Sequence, residues 1–82
     1  MAITQFRECL VESDTTCTVD FGSNVINSSV ALQGFHNSKG NVVCEQHGIS
    51  GSRVTVYASN RDEEGYNIEG HIKVLVIAVT DC

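Results

Sequence analysis

The sequence predicts an all-β fold of six short antiparallel strands, a sandwich or a small barrel, and three observations carry that expectation. No segment sustains a helical period of apolar residues. Short stretches of alternating apolar and polar residues are instead separated by turns rich in Gly, Ser, Asn and Asp. The closing run Val74-Leu75-Val76-Ile77-Ala78-Val79 is apolar at every position and mostly β-branched, as suits a strand buried on both faces.

Residues 4–11 alternate weakly, with Phe6 and Leu10 opposing Arg7 and Cys9, and end in the polar turn Glu12-Ser13-Asp14-Thr15-Thr16. In the second stretch Cys17, Val19 and Phe21 face one way and Thr18 and Asp20 the other, until Gly22-Ser23-Asn24 stops the run. The third strand is expected over residues 30–35. It is followed by His36-Asn37-Ser38-Lys39-Gly40, which has the composition of a hairpin loop. A fourth covers residues 42–47, and residues 48–51 form a turn. The fifth, residues 53–58, alternates Val54, Val56 and Ala58 inward with Arg53, Thr55 and Tyr57 outward. The longest connection, residues 59–69, is polar and acidic, and the sixth strand occupies residues 70–79. Proline is absent, no repeat or linker interrupts the chain, and residues 1–82 read as one unit.

A chain of 82 residues buries roughly 60 to 65% of its unfolded surface, so oligomer contacts or disulfides add needed stability. Its sixth strand has one face for the domain's own core and little chain left to cover the other, which implies a second copy of the protein. The six-residue apolar run is far shorter than the roughly 20 residues of a membrane-spanning helix, so membrane insertion is not expected. The net charge of −5 lacks the basic footprint that draws a phosphate backbone, which argues against a nucleic-acid partner. Arg7 and Glu8 fall where a secretory leader would need an apolar run, so no secretory precursor is expected. Asn27-Ser28-Ser29 matches a glycosylation sequon and reads most simply as a polar turn.

The four cysteines, Cys9, Cys17, Cys44 and Cys82, include no C-x-x-C pair, which disfavours zinc or redox chemistry. Cys17 and Cys44 fall on alternating strands and are expected as small buried hydrophobes. Any disulfide within the chain is expected between the terminal segments, Cys9 with Cys82, while Cys82 could equally stay free or pair with another chain. His36, His47 and His71 lack metal-ligand spacing and read as solvated or capping histidines. No serine lies in a nucleophile-elbow pattern, and Asp62-Glu63-Glu64-Gly65 lacks the order of a calcium loop. No catalytic residue, metal or cofactor is expected, and the chain is not read as an enzyme.

With the strands in order, residues 17–80 resemble the H-type lectin domain, a small six-stranded sandwich. Val19-Asp20-Phe21 stands where that family has its V-x-F strand, and Val30-Ala31-Leu32 where it has V-x-L or V-x-V. Residues 52–58 occupy the strand usually opened by Gly-Phe, and Val76-Ile77-Ala78 stands where Trp-Ile-Ala is frequent. The resemblance implies a small six-stranded antiparallel β-sandwich that assembles as a homotrimer packed around its last strands, with Val74, Leu75, Val76, Ile77 and Val79 at the interface. It also implies a sugar site between subunits, carried over to Asn60, Arg61 and Asp62. The chain departs from the family in having Ser28-Ser29 where prolines are common, and Arg61 where an aromatic often stacks on the sugar. Tyr57 or Tyr66 could supply a substitute ring.

Two functions follow as expectations. The first is a non-enzymatic trimeric assembly module, most readily a virion component such as a capsid decoration protein or tail-fibre knob. Such a chain is made in the host cytoplasm and contacts other virion proteins. The second is an extracellular protein that binds a surface glycan.

Overall fold

The computed structural model describes residues 1–35 and 40–82. Among them run six strands: β1 (Ile3–Glu12), β2 (Thr15–Asp20), β3 (Val25–Phe35), β4 (Asn41–Ser50), β5 (Arg53–Arg61) and β6 (His71–Thr80). They form two three-stranded sheets, ordered β1-β6-β3 and β2-β5-β4, in which every pairing is antiparallel. The arrangement is all-β and compatible with a β-sandwich. The strands with the most apolar inward rows, β5 and β6, occupy the two central positions, because a central strand is flanked on both edges and shields its inward residues most fully.

The inward rows meet between the sheets. Cys9 and Val11 on β1, Val25 on β3, and Ile72, Val74, Val76 and Ala78 on β6 pack against Val54, Val56 and Ala58 on β5. Phe21, just past β2, is also buried in this cluster, and the Arg7 guanidinium lies 5.5 Å from the centre of its ring. That contact lets a charged residue on an inward row cover the core while its head stays wet. Thr80, the last residue of β6, continues its buried row, and its hydroxyl accepts a hydrogen bond from Gln5 Nε2 at 3.0 Å.

Several expected boundaries move outward. β3 begins at Val25, five residues before residue 30, because Asn27-Ser28-Ser29 pairs with the end of β6 despite its poor strand-forming composition. A register shift between Val25 and Asn27 accommodates the start. β4 continues into the expected turn at residues 48–51 as far as Ser50, taking in Gly48 beside another register shift, so the hairpin to β5 narrows to Gly51-Ser52, with Gly51 at a φ of 59°. β5 runs on to Arg61, where Ser59 and Asn60 are buried. The expected hairpin loop at residues 36–40 lies, except for Gly40, outside the described residues; the strands flanking it, β3 and β4, belong to different sheets.

The disulfide expectation is corrected. Cys9 pairs with Cys17, not with Cys82, across a Cα–Cα distance of 6.6 Å. The two-residue corner Ser13-Asp14 sends the chain from one sheet to the other, so inward positions on either side of it face each other across the sandwich. Asp14 occupies the left-handed region there, with φ of 69°, a conformation that Asp tolerates better than most residues. Cys82 could not reach Cys9. The register aligns Cys9 with Val74, eight residues before Cys82, or roughly 26 Å of extended chain. Cys82 is free and exposed, and Cys44 is free and half-buried where full burial was expected.

Candidate functional site

The two sheets present very different faces to solvent. On the outer face of β2-β5-β4, the register sets Thr16 beside Tyr57, Thr18 beside Thr55, and Asp20 beside Arg53. The Thr18 and Thr55 hydroxyls share a hydrogen bond at 3.0 Å, and Arg53 Nε lies 3.4 Å from Asp20 Oδ2. Apart from Val43 this is a wet surface. Asp20 also accepts a hydrogen bond from the Gly22 backbone N–H at 2.8 Å. That bond first, then the Ser52 side chain and Arg53, holds the Asp20 carboxyl below its ordinary pKa.

The outer face of β1-β6-β3 is apolar toward the end of β6 and carries Glu8, Glu12, His71 and Lys73 toward its start. The alternation that buries Ile72, Val74, Val76 and Ala78 turns Leu75, Ile77 and Val79 outward, where they are half-buried. Phe6 lies beside Ile77 and is 58% exposed, Leu10 lies beside Lys73 and is 62% exposed, and Ala31 flanks Leu75 from β3. A shallow groove of about 80 Å³ runs along Asn27, Ser28, Ser29, Ile77 and Val79. Of the residues expected at an interface between copies, Leu75, Ile77 and Val79 therefore lie on this outer face. Val74 and Val76 point into the chain's own core. Phe6 and Leu10 escaped the sequence reading, since weak alternation in β1 did not reveal which side faced outward, and Ala31 escaped it because the pairing of β3 with β6 is a matter of tertiary structure.

The residues carried over for sugar binding gather at the other end of β5. Arg61 donates to Asp14 Oδ1 at 2.7 Å and to the Gly65 carbonyl at 3.0 Å, while the Tyr57 hydroxyl donates to Asp14 Oδ1 at 2.5 Å. Tyr57 and Asp14 push the Arg61 pKa further up. Asp62 Oδ1 accepts from the backbone N–H groups of Glu64 and Tyr66, each at 2.9 Å, and so closes its own loop. Asn60 is only 3% exposed. Its backbone N–H donates to Ser13 Oγ at 2.8 Å, and its carbonyl accepts from Ile68 N at 2.8 Å. Of the five, Tyr66 alone presents a ring that is mostly exposed, at 69%. Asp14, the hub of this cluster, had no signal in the sequence beyond its place in a turn.

Next to that loop a polar cleft of about 420 Å³ is lined by Glu12, Ser13, Asn67, Glu69, Gly70 and His71. Ser13 Oγ donates to Asn67 Oδ1 there at 2.6 Å. Among the described residues no group of three or more His, Cys, Asp or Glu side chains could hold a metal ion, and no helix is long and apolar enough to cross a membrane. Comparisons with protein-family models, curated proteins and solved structures find no match to this chain.

Proposed function

We propose that this chain is a non-enzymatic assembly module that forms a homotrimer through the outer face of its β1-β6-β3 sheet and serves as a virion component, a capsid decoration protein or a tail-fibre knob. The observation that carries the assembly reading is the apolar patch of Phe6, Leu75, Ile77 and Val79 on the outer face of β1-β6-β3, toward the end of β6; Glu8, Glu12, His71 and Lys73 share that face toward the start of β6, and the other outer face is wet almost throughout. A contiguous apolar patch of this kind marks an interaction surface. The virion role extends that reading by analogy with compact trimers that build particles.

A second reading, glycan binding by an H-type-lectin-like domain, is favoured by the exposed Tyr66 ring, which offers a stacking platform on the loop organised by Asp62.

Ile77→Asp places a charge on the outer face without touching the core rows. The wild type is expected to scatter light as a trimer and the variant as a folded monomer; a variant that stays assembled would defeat the reading. A paired assay of particle incorporation and glycan-array binding separates the roles. The assembly role predicts incorporation that survives the double change Arg61→Ala, Asp62→Ala. Specific glycan binding lost in that double variant, with no particle association in either protein, would establish the lectin instead.

A further inference from the structure

The two layers of the sandwich are sealed along one side and open along the other. Where β1 meets β2, Cys9, Val11 and Phe21 are buried and the Cys9–Cys17 bridge joins the layers. Where β3 meets β4, the inward rows stay partly in water. Register sets Val30 and Leu32 opposite Val76 and Val74 of β6, and Ile49 opposite Val54 of β5, so all three point between the layers. Even so, Leu32 is 42% and Ile49 39% exposed, and Val30, Val42 and Cys44 are only half-buried. A hydrogen bond from the Ser28 hydroxyl to Gln46 Oε1 crosses this opening.

The strand that borders the opening is also the least protected edge of either sheet. An edge strand presents a row of unpaired N–H and C=O groups, and proteins ordinarily guard it with charge, proline, a bulge or shortness. β1 carries Arg7, Glu8 and Glu12, β2 has six residues and ends at Asp20, and β4 carries Glu45 and a register shift at mid-strand, between Gln46 and Gly48. β3 runs for 11 residues, Val25–Phe35, with no ionisable side chain and no proline. Its register shifts lie near its two ends, which leaves residues 27–32 as a regular run. Among the described residues, backbone hydrogen bonds outside the ladders reach β3 only at Val25, whose N–H donates to the Gly51 carbonyl at 2.9 Å.

Bare backbone groups beside a half-covered apolar row define what can fill the place. A helix or a small molecule cannot continue the ladder, whereas an added strand meets the backbone groups and drops every second side chain between the layers. A second copy joining edge to edge would bring β4 against β4 as well, where Glu45 and the mid-strand shift oppose pairing. We propose that the free edge of β3 is a strand-addition site for an extended segment of a different protein, uncharged along its centre and apolar at alternate positions, whose apolar side chains cover Val30, Leu32, Val42 and Cys44. The site is separate from the outer face through which copies are proposed to assemble, and it stands without that reading.

The probe is a fluorescein-labelled peptide of alternating valine and threonine with a lysine at each end, and the same residues in block order serve as the control. Anisotropy is expected to rise with the alternating peptide and not with the control, in the wild type and in Ile77→Asp alike. Leu32→Lys points a charge into the opening and is expected to weaken binding more than about tenfold. Amide hydrogen exchange in the wild type is expected to slow at residues 27–32 when the peptide is present. No binding of the alternating peptide, equal binding of the control, protection centred on β1, β2 or β4, or undiminished binding by Leu32→Lys would overturn the proposal. Protection of residues 27–32 that rises with protein concentration alone in Ile77→Asp would overturn it too, by making a second copy the occupant. Where Leu32→Lys does not fold, the exchange map of the wild type decides. Light scattering on the same samples reports assembly, so strand addition and assembly fail separately.

Discussion

At the scale of single residues, backbone conformation and hydrogen bonding make the sharpest statements. Gly40 has a φ of 87°, and a Cβ built there would meet the Arg61 carbonyl oxygen, Asn60 Oδ1 and Ile68 Cδ1, each at 2.6 Å. The first of these is backbone at the end of β5 and cannot swing aside. Gly40→Ala is therefore expected to destabilise the fold by about 1 to 3 kcal/mol, read as a lower urea midpoint at unchanged slope. Asp20 makes a contribution to stability that depends on pH. Its folded pKa is depressed, chiefly by the Gly22 N–H, so the native state binds its proton less readily than the unfolded chain does. Its contribution is present above the unfolded value, about 4, and is lost as pH falls through the lower folded value. Urea midpoints measured from about pH 2 to 6 are expected to fall less steeply with acidification in Asp20→Asn than in the wild type. Burial pushes the Cys44 thiol up, so under native conditions Cys82 is expected to alkylate first and Cys44 slowly.

At the scale of elements, the corner between β1 and β2 is where the covalent and non-covalent frameworks meet. The Cys9–Cys17 bridge joins the two sheets through a short loop, and by loop entropy contributes about 2 to 3 kcal/mol. Beside it, the Ser13 backbone N–H donates to the Gly70 carbonyl and that of Asp14 to the Ala58 carbonyl, both at 2.9 Å, tying the corner to each central strand. Two free thiols per chain are expected under denaturing, non-reducing conditions and four after reduction. The Cys9→Ala, Cys17→Ala chain is expected to melt roughly 10 to 20 °C lower than the wild type. Four free thiols before reduction would show that the bridge does not form. Within β6 the two rows divide their duties. Val74, Val76 and Ala78 hold the two sheets together, whereas Leu75, Ile77 and Val79 are half-buried on the outer face.

For the molecule as a whole, the long sandwich, with principal extents of 46, 18 and 14 Å, has a thin core and one unfavourably apolar side. If that side is covered by other copies, stability depends on protein concentration, because association adds binding free energy to folding. The melting temperature of the wild type is expected to rise across a dilution series from low to high micromolar, and that of Ile77→Asp to stay constant. A wild-type melting temperature independent of concentration would count against assembly. What the sequence determined by itself was local. Alternation marked six strands, the run at residues 74–79 marked a strand apolar on both faces, and polar clusters marked most of the connections. What only the tertiary structure decided was which strands share a sheet, and everything that depends on that choice. Alternation says that two sets of side chains oppose each other in β1. It does not say that Phe6 and Leu10 are the outward set, because that follows from register against β6. Likewise, cysteine spacing is silent on pairing. Cys9 meets Cys17 because the chain changes sheets at Ser13-Asp14, and Arg61, Tyr57 and Asp14 meet because that same corner lies over the end of β5. These are contacts between residues distant in sequence, and local pattern carries no information about them.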